Sequence, residues 1–305
     1  MLKIVFMGSP DFAVPSLHAI HRSEHELLAV ATNPDKRRGR GSSTSPTIVN
    51  KTAVELGYPV IETESTKDPA FAHVLEKLQA DLFVVVAFRI LPPEILKIPS
   101  LGAINLHASL LPEYRGAAPI HHAILDGKEE TGCSVFLLNE RVDTGNILGQ
   151  TKVRIGPDET TGELYDRLKT TGADLLLKTI ARIDKGDMKG IPQDDTKATA
   201  APKIHPEDGK VNFNDSAQNA YNRIRAMTPF PGAWAIYADE KIKIRKSRLK
   251  PSLHLKEGEL HFRDGRLYAG CRSGSVELIE VQLPGKKSIS GEDFANGYDL
   301  SHGLR

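Results

Sequence analysis

The 305-residue sequence predicts an α/β protein, a doubly wound and mostly parallel sheet followed by a smaller antiparallel β-barrel domain. Three observations predict it. The first half alternates short apolar runs with helical patterns. A long amphipathic helix then gives way to a stretch without core pattern, "DKGDMKGIPQDDTKATAAPKI". Beyond that lie short alternating runs separated by turn residues.

Taken in order, "LKIVFMG" reads as a strand, "VPSLHAIHRS" as a helix and "LLAVATN" as a strand. "TIVNKTAVELG" is a helix, and "DLFVVVAF" and "GAINLHASL" are strands. Strand runs this continuously apolar need cover on both faces, which parallel sheets with crossover helices provide. Ligands of such sheets sit beyond the carboxyl ends of the strands, where "MGSP", "NPDK", "AFRI" and "HASLLP" fall. "TTGELYDRLKTTGADLLLKTIARI" is one long helix, and "YNRIRAMTPFPGAW" is a helix stopped by prolines. "AWAIYAD", "KIKIRKS", "GRLYAGCRSG" and "VELIEVQLPG" complete a small antiparallel barrel. The division expected is 1–190, a linker over 191–204, and 205–305, with no internal repeat.

Hydrophobic residues make up 40% of the chain, enough for an ordinary core, and no apolar run approaches the roughly 18 residues of a membrane span. "MLKIVFMGSPDF" reads as a first strand and carries neither an Arg-rich presequence nor a cleavage site, so a cytoplasmic protein is expected. Cys133 and Cys271 are too few and too far apart for a disulfide framework or zinc site and read as buried small hydrophobes; no metal is expected. The net charge of +1 conceals an asymmetry: 17 Lys and Arg face 13 Asp and Glu from Ala201 onward, against 23 and 26 before it. The densest cluster, "KIKIRKSRLK", alternates apolar and basic residues, placing Lys241, Lys243 and Arg245 on one cationic strand face. A solvated face and a polyanion contact both remain open there. In "NPDKRRGRGSSTSPT", Lys36, Arg37, Arg38 and Arg40 stand on a Gly/Ser-rich loop of the ligand-binding rim, where they suit a phosphate backbone or nucleotide end better than packing.

The chemistry concentrates in "INLHASLLPEYRGAAP". A strand's side-chain period of two puts Ala103, Asn105 and His107 on one face and Ile104 and Leu106 on the other. An Asn amide can donate to a developing oxyanion, and a His can exchange a proton near neutral pH. A packed strand end with two satisfied polar groups is the plainer alternative. Asp143, in "NERVDTGNIL", follows the strand "CSVFLLN" to the same rim, where a carboxylate would favour an imidazolium and orient it; a turn Asp bonding its own backbone is the competing reading. A single "DTG" in an α/β context does not make an aspartic protease, which needs two carboxylates. "MGSPDF" lacks the later glycines of GxGxxG and no GxxxxGK[ST] occurs, which argues against a nucleotide cofactor; Gly8 is expected to permit a tight turn and Ser9 to cap the next helix. His121 and His122 diverge by about 100° on the helix opened by Pro119 and read as structural.

These motifs together resemble the methionyl-tRNA formyltransferases. The likeness lies in "INLHASLLPEYRGAAPI" followed by "ETGCSVFLLNERVDTGNIL" and extends through "IVFMGSPDFAVPSL", "NPDKRRGRG", "KIHPEDGKVNF", "NRIRAMTPFPGAW" and "LPGKKSISGEDF", most of the chain. Asn-x-His with a later Asp marks the wider class using 10-formyltetrahydrofolate; "RGAAP", the basic loop and the C-terminal domain narrow it. The resemblance implies a formyltransferase fold of Rossmann-like type with an OB-like barrel behind it. It implies formyl transfer from 10-formyltetrahydrofolate to the α-amine of methionyl initiator tRNA, for translation initiation, by a monomer. Asn105 would hold the formyl oxygen, His107 would move the proton, and Asp143 would orient His107. Ser109, Leu110, Leu111 and Pro112 would line the folate site. The loop 36–41, Arg40 foremost, would reach the acceptor end of the tRNA, and the basic face of the barrel would help hold it. The chain departs from the family at "AFRILPPEIL": members usually run Ala-Tyr-Gly plus another residue before Ile-Leu-Pro, whereas this chain has Phe88 and Arg89 and one residue fewer beside the expected folate pocket. A sugar-nucleotide amine formyltransferase with the same donor and a non-catalytic RNA-binding relative are the alternatives.

Overall fold

The computed structural model describes residues 1–34, 36–37 and 44–305 and separates into two compact units. The first comprises residues 1–116, 131–153 and 165–200, the second 117–130, 154–164 and 201–305.

The strands of the first unit are β1 (Lys3–Gly8), β2 (Glu26–Thr32), the short antiparallel pair β3 (Lys36–Arg37) and β4 (Thr44–Ser45), β5 (Val60–Glu62), β6 (Leu82–Val86), β7 (Ala103–His107), β8 (Glu130–Leu137) and β9 (Ile147–Arg154). Seven of them form one sheet in the order β5-β2-β1-β6-β7-β8-β9. β1, β2, β5, β6 and β7 run parallel and β8 runs antiparallel to β7, giving the mostly parallel sheet expected. Every residue of β6, and every residue of β1 except Lys3, is buried, as strands covered on both faces must be. Because β2 lies on one side of β1 and β6 on the other, the strand order reverses there and opens a crevice at the carboxyl ends.

Helices α1 (Val14–His21), α2 (Ile48–Glu55), α3 (Pro69–Leu78), α4 (Pro93–Leu96) and most of the long α6 (Thr161–Asp184) belong to this unit; α5 (Pro119–Leu125) belongs to the other. Side-chain caps fix several starts: Thr47 accepts from Asn50 N, Asp68 accepts from Ala70 N, and Thr160 and Glu163 form a capping box ahead of α6. Those bonds from Thr160 hold the Glu163 carboxyl below its ordinary pKa. On α6, Gly172 permits close approach to the sheet, since a Cβ there would meet Leu106 and Cys133. The face of β7 opposite Asn105 and His107 is thereby braced. Helix α3 is absent from the elements read in the sequence, although Asp68-Pro69 is a helix-start signature. Ser9 does not cap a helix: its hydroxyl accepts from Thr32 Oγ1 and from Asn33 N, tying together two strand ends of the rim, while Ala13, the residue ahead of α1, offers no side-chain cap. Nor does Gly8 sit at a positive φ; what excludes a side chain is the nearness of Ala13 and the Val86 carbonyl.

The second unit contains α5, α7 (Ala217–Ala226) and the strands β10 (Ala233–Tyr237), β11 (Glu240–Lys250), β12 (Leu260–Arg263), β13 (Arg266–Gly270), β14 (Ser275–Gln282) and β15 (Ile289–Ser290), followed by α8 (Gly291–Gly297). The strand order is β10-β11-β14-β13-β12, with β15 on β14, every pairing antiparallel. The long β11 shifts register against β14 around Lys246, as a bulge does. Both cysteines are buried, and burial pushes each thiol up to about 12. No described helix is long and apolar enough to cross a membrane.

Candidate active site

β7 delivers Asn105 and His107 to the rim on one face, as its period of two requires. Ile104 and Leu106 are buried on the other and fix the register. His107 is 7% exposed, and its Nε2 lies 2.8 Å from the Tyr114 carbonyl oxygen. A carbonyl can only accept, so Nε2 carries a hydrogen and Nδ1 is left to exchange one. Nδ1 faces Asp143 Oδ2 at 3.8 Å, within range of charge stabilisation and outside hydrogen-bonding distance. The Asp143 carboxylate is held by the Gly116 backbone N–H, which donates to Oδ2 at 2.8 Å. Asn105 is half-buried, and among the described residues its carboxamide has no hydrogen-bond partner. A half-buried amide with free donors, on the same strand face as an imidazole turned to a carboxylate, can bind a developing oxyanion while the imidazole transfers a proton.

The two residues that meet the imidazole share an unusual backbone: Tyr114 has φ +60° and Asp143 φ +55°. This left-handed region is uncommon for residues with a side chain, so each is held by its surroundings. Much of that hold comes from the segment expected to be a linker. Residues 191–200 are part of the first unit, with Thr199 Oγ1 accepting from Tyr114 N at 2.8 Å and the Thr199 carbonyl accepting from Arg115 N at 2.8 Å. Gln193 Nε2 donates to the Asp143 and Gly145 carbonyls at 3.0 and 2.8 Å, while its Oε1 accepts from Arg115 Nε and Nη2. Sequence reasoning missed Gln193 and Thr199 because contacts some 50 to 85 residues apart leave no periodic trace, and Tyr114 because it acts through a backbone carbonyl that every residue carries.

Residues 109–112, in the loop after β7, divide by burial. Ser109 and Leu111 are buried, Ser109 Oγ donating to the Glu113 carbonyl at 2.6 Å; Leu110 and Pro112 are half-buried. Gln150 Nε2 and Ser134 Oγ fasten this loop through the Leu111 and Ser109 carbonyls. In the divergent "AFRI" loop, Phe88 packs on the core and Arg89 Nε donates to Asn33 Oδ1 at 2.5 Å. With the Ser9–Asn33 bond, that contact knits the loops after β1, β2 and β6 together.

Two family models cover the chain, Formyl transferase over residues 2–180 and Formyl transferase, C-terminal domain, over 203–299. Methionyl-tRNA formyltransferase of Chlorobium luteolum is 42% identical over 97% of this chain and 97% of its own length. That of Moorella thermoacetica is 43% identical over 99% and 98%. The chain belongs to the methionyl-tRNA formyltransferase family. The fold is also that of the N-formyltransferase from Helicobacter canadensis, solved with folinic acid and dTDP-3-aminofucose, at a TM-score of 0.69 and 23% identity over 91% of this chain and 99% of that one.

For a methionyl-tRNA formyltransferase the basic residues matter next. Arg38 and Arg40 lie outside the described residues, and Lys36 and Arg37 form β3. In β11, Ile242 and Ile244 are buried while Lys241 and Lys243 are exposed. The register shift then keeps Lys246 and Arg248 outward as well. Their freedom differs. Lys241 Nζ sits 3.7 Å from the Trp234 ring centroid, and Arg245 donates to Gln282 Oε1. Arg248 and Lys250 lie 3.6 and 3.5 Å from buried Glu277. Lys243 and Lys246 are the more available cations. His121 and His122 are half-buried, their Nε2 atoms donating to the Phe230 and Pro202 carbonyls; burial lowers the pKa of His121.

Proposed function

We propose that this chain transfers the formyl group of 10-formyltetrahydrofolate to the α-amino group of methionyl initiator tRNA through Asn105, His107 and Asp143, acting as a monomer in the cytoplasm. The observation that carries the residue assignment is the juxtaposition of an unpartnered Asn105 carboxamide with an imidazole whose Nδ1 is turned to a carboxylate. Near-full-length kinship with methionyl-tRNA formyltransferases supports the acceptor.

Asn105 donates to the formyl oxygen as attack by the methionyl amine drives negative charge onto it. His107 takes the proton shed by that amine at Nδ1 and returns it to the departing folate nitrogen, so the C–N bond formed and the C–N bond broken leave no net proton change. Asp143 stabilises the transient imidazolium by its charge. The Tyr114 carbonyl keeps Nε2 protonated and so reserves Nδ1 for chemistry. The free amide of Asn105 and the half-buried Leu110 and Pro112 fit a polar formyl group joined to a flat heteroaromatic donor. In this reading Ser109 and Leu111 shape the folate loop from within. Lys36, Arg37, Arg38 and Arg40 engage the acceptor end, and Lys241, Lys243 and Arg245 lie along the tRNA phosphates. Residues 1–190 carry catalysis with 191–200 bonded to their rim, and 205–305 hold tRNA.

The deciding assay mixes purified protein with 10-formyltetrahydrofolate and methionyl-tRNA and follows formylmethionine. Formylation of the charged initiator tRNA is expected; its absence at micromolar enzyme sinks the reading, and formylation of a sugar-nucleotide amine instead would replace it.

A further inference from the structure

We propose that Gln193 is a positioning residue for the His107–Asp143 pair, acting through the backbone of Asp143. The inference rests on the functional reading above and adds to it a residue that touches no reacting atom.

Gln193 uses both ends of its amide, and each end reaches a different rim loop. Nε2 donates to the Asp143 carbonyl at 3.0 Å and to the Gly145 carbonyl at 2.8 Å, bracketing the turn that carries the carboxylate. Oε1 accepts from Arg115 Nε at 3.0 Å and Nη2 at 2.7 Å. Arg115 precedes Gly116, whose N–H donates to Asp143 Oδ2. Gln193, Arg115, Gly116 and Asp143 therefore close a ring, in which the carboxylate is held at its oxygen from one side and at its backbone from the other.

The ring matters because Asp143 occupies a left-handed conformation, φ +55°, which Asp tolerates better than most residues, so the bonds at its carbonyl and carboxylate select this turn among the alternatives open to it. If the turn relaxes, the carboxylate leaves its 3.8 Å position opposite His107 Nδ1. Backbone pairing of Ile147 with Ile191 fixes Gln193 in turn, each residue's N–H donating to the other's carbonyl. Arg115 also reaches Asp195 at 2.7 Å, so the guanidinium keeps one partner if Gln193 is lost. The Nε2 end, by contrast, supplies an N–H that a carboxylate of the same length lacks.

That difference provides the test. Gln193→Ala removes both ends, whereas Gln193→Glu keeps an acceptor for Arg115 and places a second acceptor against the Asp143 and Gly145 carbonyls. A displacement of about 1 Å at a reacting pair costs on the order of 10²-fold. Both variants are expected to lower kcat for methionyl-tRNA formylation by about 10- to 100-fold, with KM for tRNA and folate changed less than about threefold. The ring 15N resonances of His107 should shift in both variants, read on the full chain without substrates. Wild-type kcat in Gln193→Glu, or unmoved His107 resonances, overturns the proposal. Should Gln193→Ala unfold by circular dichroism, Gln193→Glu decides alone, and its own unfolding would assign Gln193 to stability and overturn positioning. An inactive wild-type protein refutes the formyl-transfer reading, while the His107 resonances still judge the geometric claim.

Discussion

β7 and β11 both alternate apolar and polar side chains, and they use the alternation in opposite ways. In β7 the polar face turns inward: His107 is buried, and its surroundings are fixed by a carbonyl, a carboxylate and the bonds that hold each of them. In β11 the polar face turns to solvent, where Lys241 and Lys243 stand exposed beside buried Ile242 and Ile244. Buried polar groups in low dielectric gain strength from being fully arranged and lose heavily when one is removed. Exposed cations act at long range, tolerate imprecise placement and are screened by salt. Substitutions in the two strands should therefore differ in size and also in which measurement they move.

The comparison breaks most sharply at His107. His107→Ala should lower kcat by roughly 10²–10⁴-fold with methionyl-tRNA binding intact, because it deletes the proton path. Single-turnover formylation at saturating tRNA measures this directly, and near-normal turnover would refute the assignment. Asn105→Ala should cost on the order of 10²–10³-fold, the range for loss of one oxyanion donor. Since Asn105 has no partner within the protein among the described residues, this variant should melt at the wild-type temperature. A large fall in Tm would mean the amide is structural.

Much of this contrast is legible in the amino-acid sequence alone. Period-two alternation put Asn105 with His107 and Lys241 with Lys243, since strand geometry is local and leaves its mark every second residue. What holds His107 was not legible. The Tyr114 carbonyl, the left-handed turn at Asp143 and the clamp from Gln193 are backbone conformations and long-range contacts, and neither produces a pattern in neighbouring residues. The same limit explains Ser9, whose position after a strand resembles a cap although its hydroxyl serves Thr32 and Asn33. The segment over 191–200 shows why low periodicity is a poor sign of a free linker: its residues are spent on single hydrogen bonds to the rim and bury no apolar stripe.

The basic loop offers a sharper version of the comparison, because it follows Asn33, which is bonded to Ser9 and Arg89 at the rim, yet has the composition of β11. Arg40→Ala should raise KM for methionyl-tRNA several-fold at about 150 mM salt, through loss of one or more phosphate contacts. With a small methionyl ester as acceptor the variant should match wild type. An equal loss on both acceptors would place Arg40 in the chemistry and erase the distinction.

The smallest effect on tRNA use is expected inside β11, where adjacent residues face opposite ways and one of them governs stability instead. Ile242 is 1% exposed, so Ile242→Ala should destabilise by about 2–5 kcal/mol through lost burial and the cavity left behind. Lys243→Ala, one residue along and exposed, should change stability by less than about 0.5 kcal/mol. Its effect should instead appear in the salt dependence of tRNA binding. Removing one phosphate contact lowers the slope of log K against log salt by about 1 and weakens binding several-fold at most. Arg245→Ala should move that slope less, because its guanidinium is already committed to Gln282. If Arg245 proves the larger contributor, Gln282 orients that guanidinium toward the phosphates, and the ranking of free over tethered cations on this strand reverses.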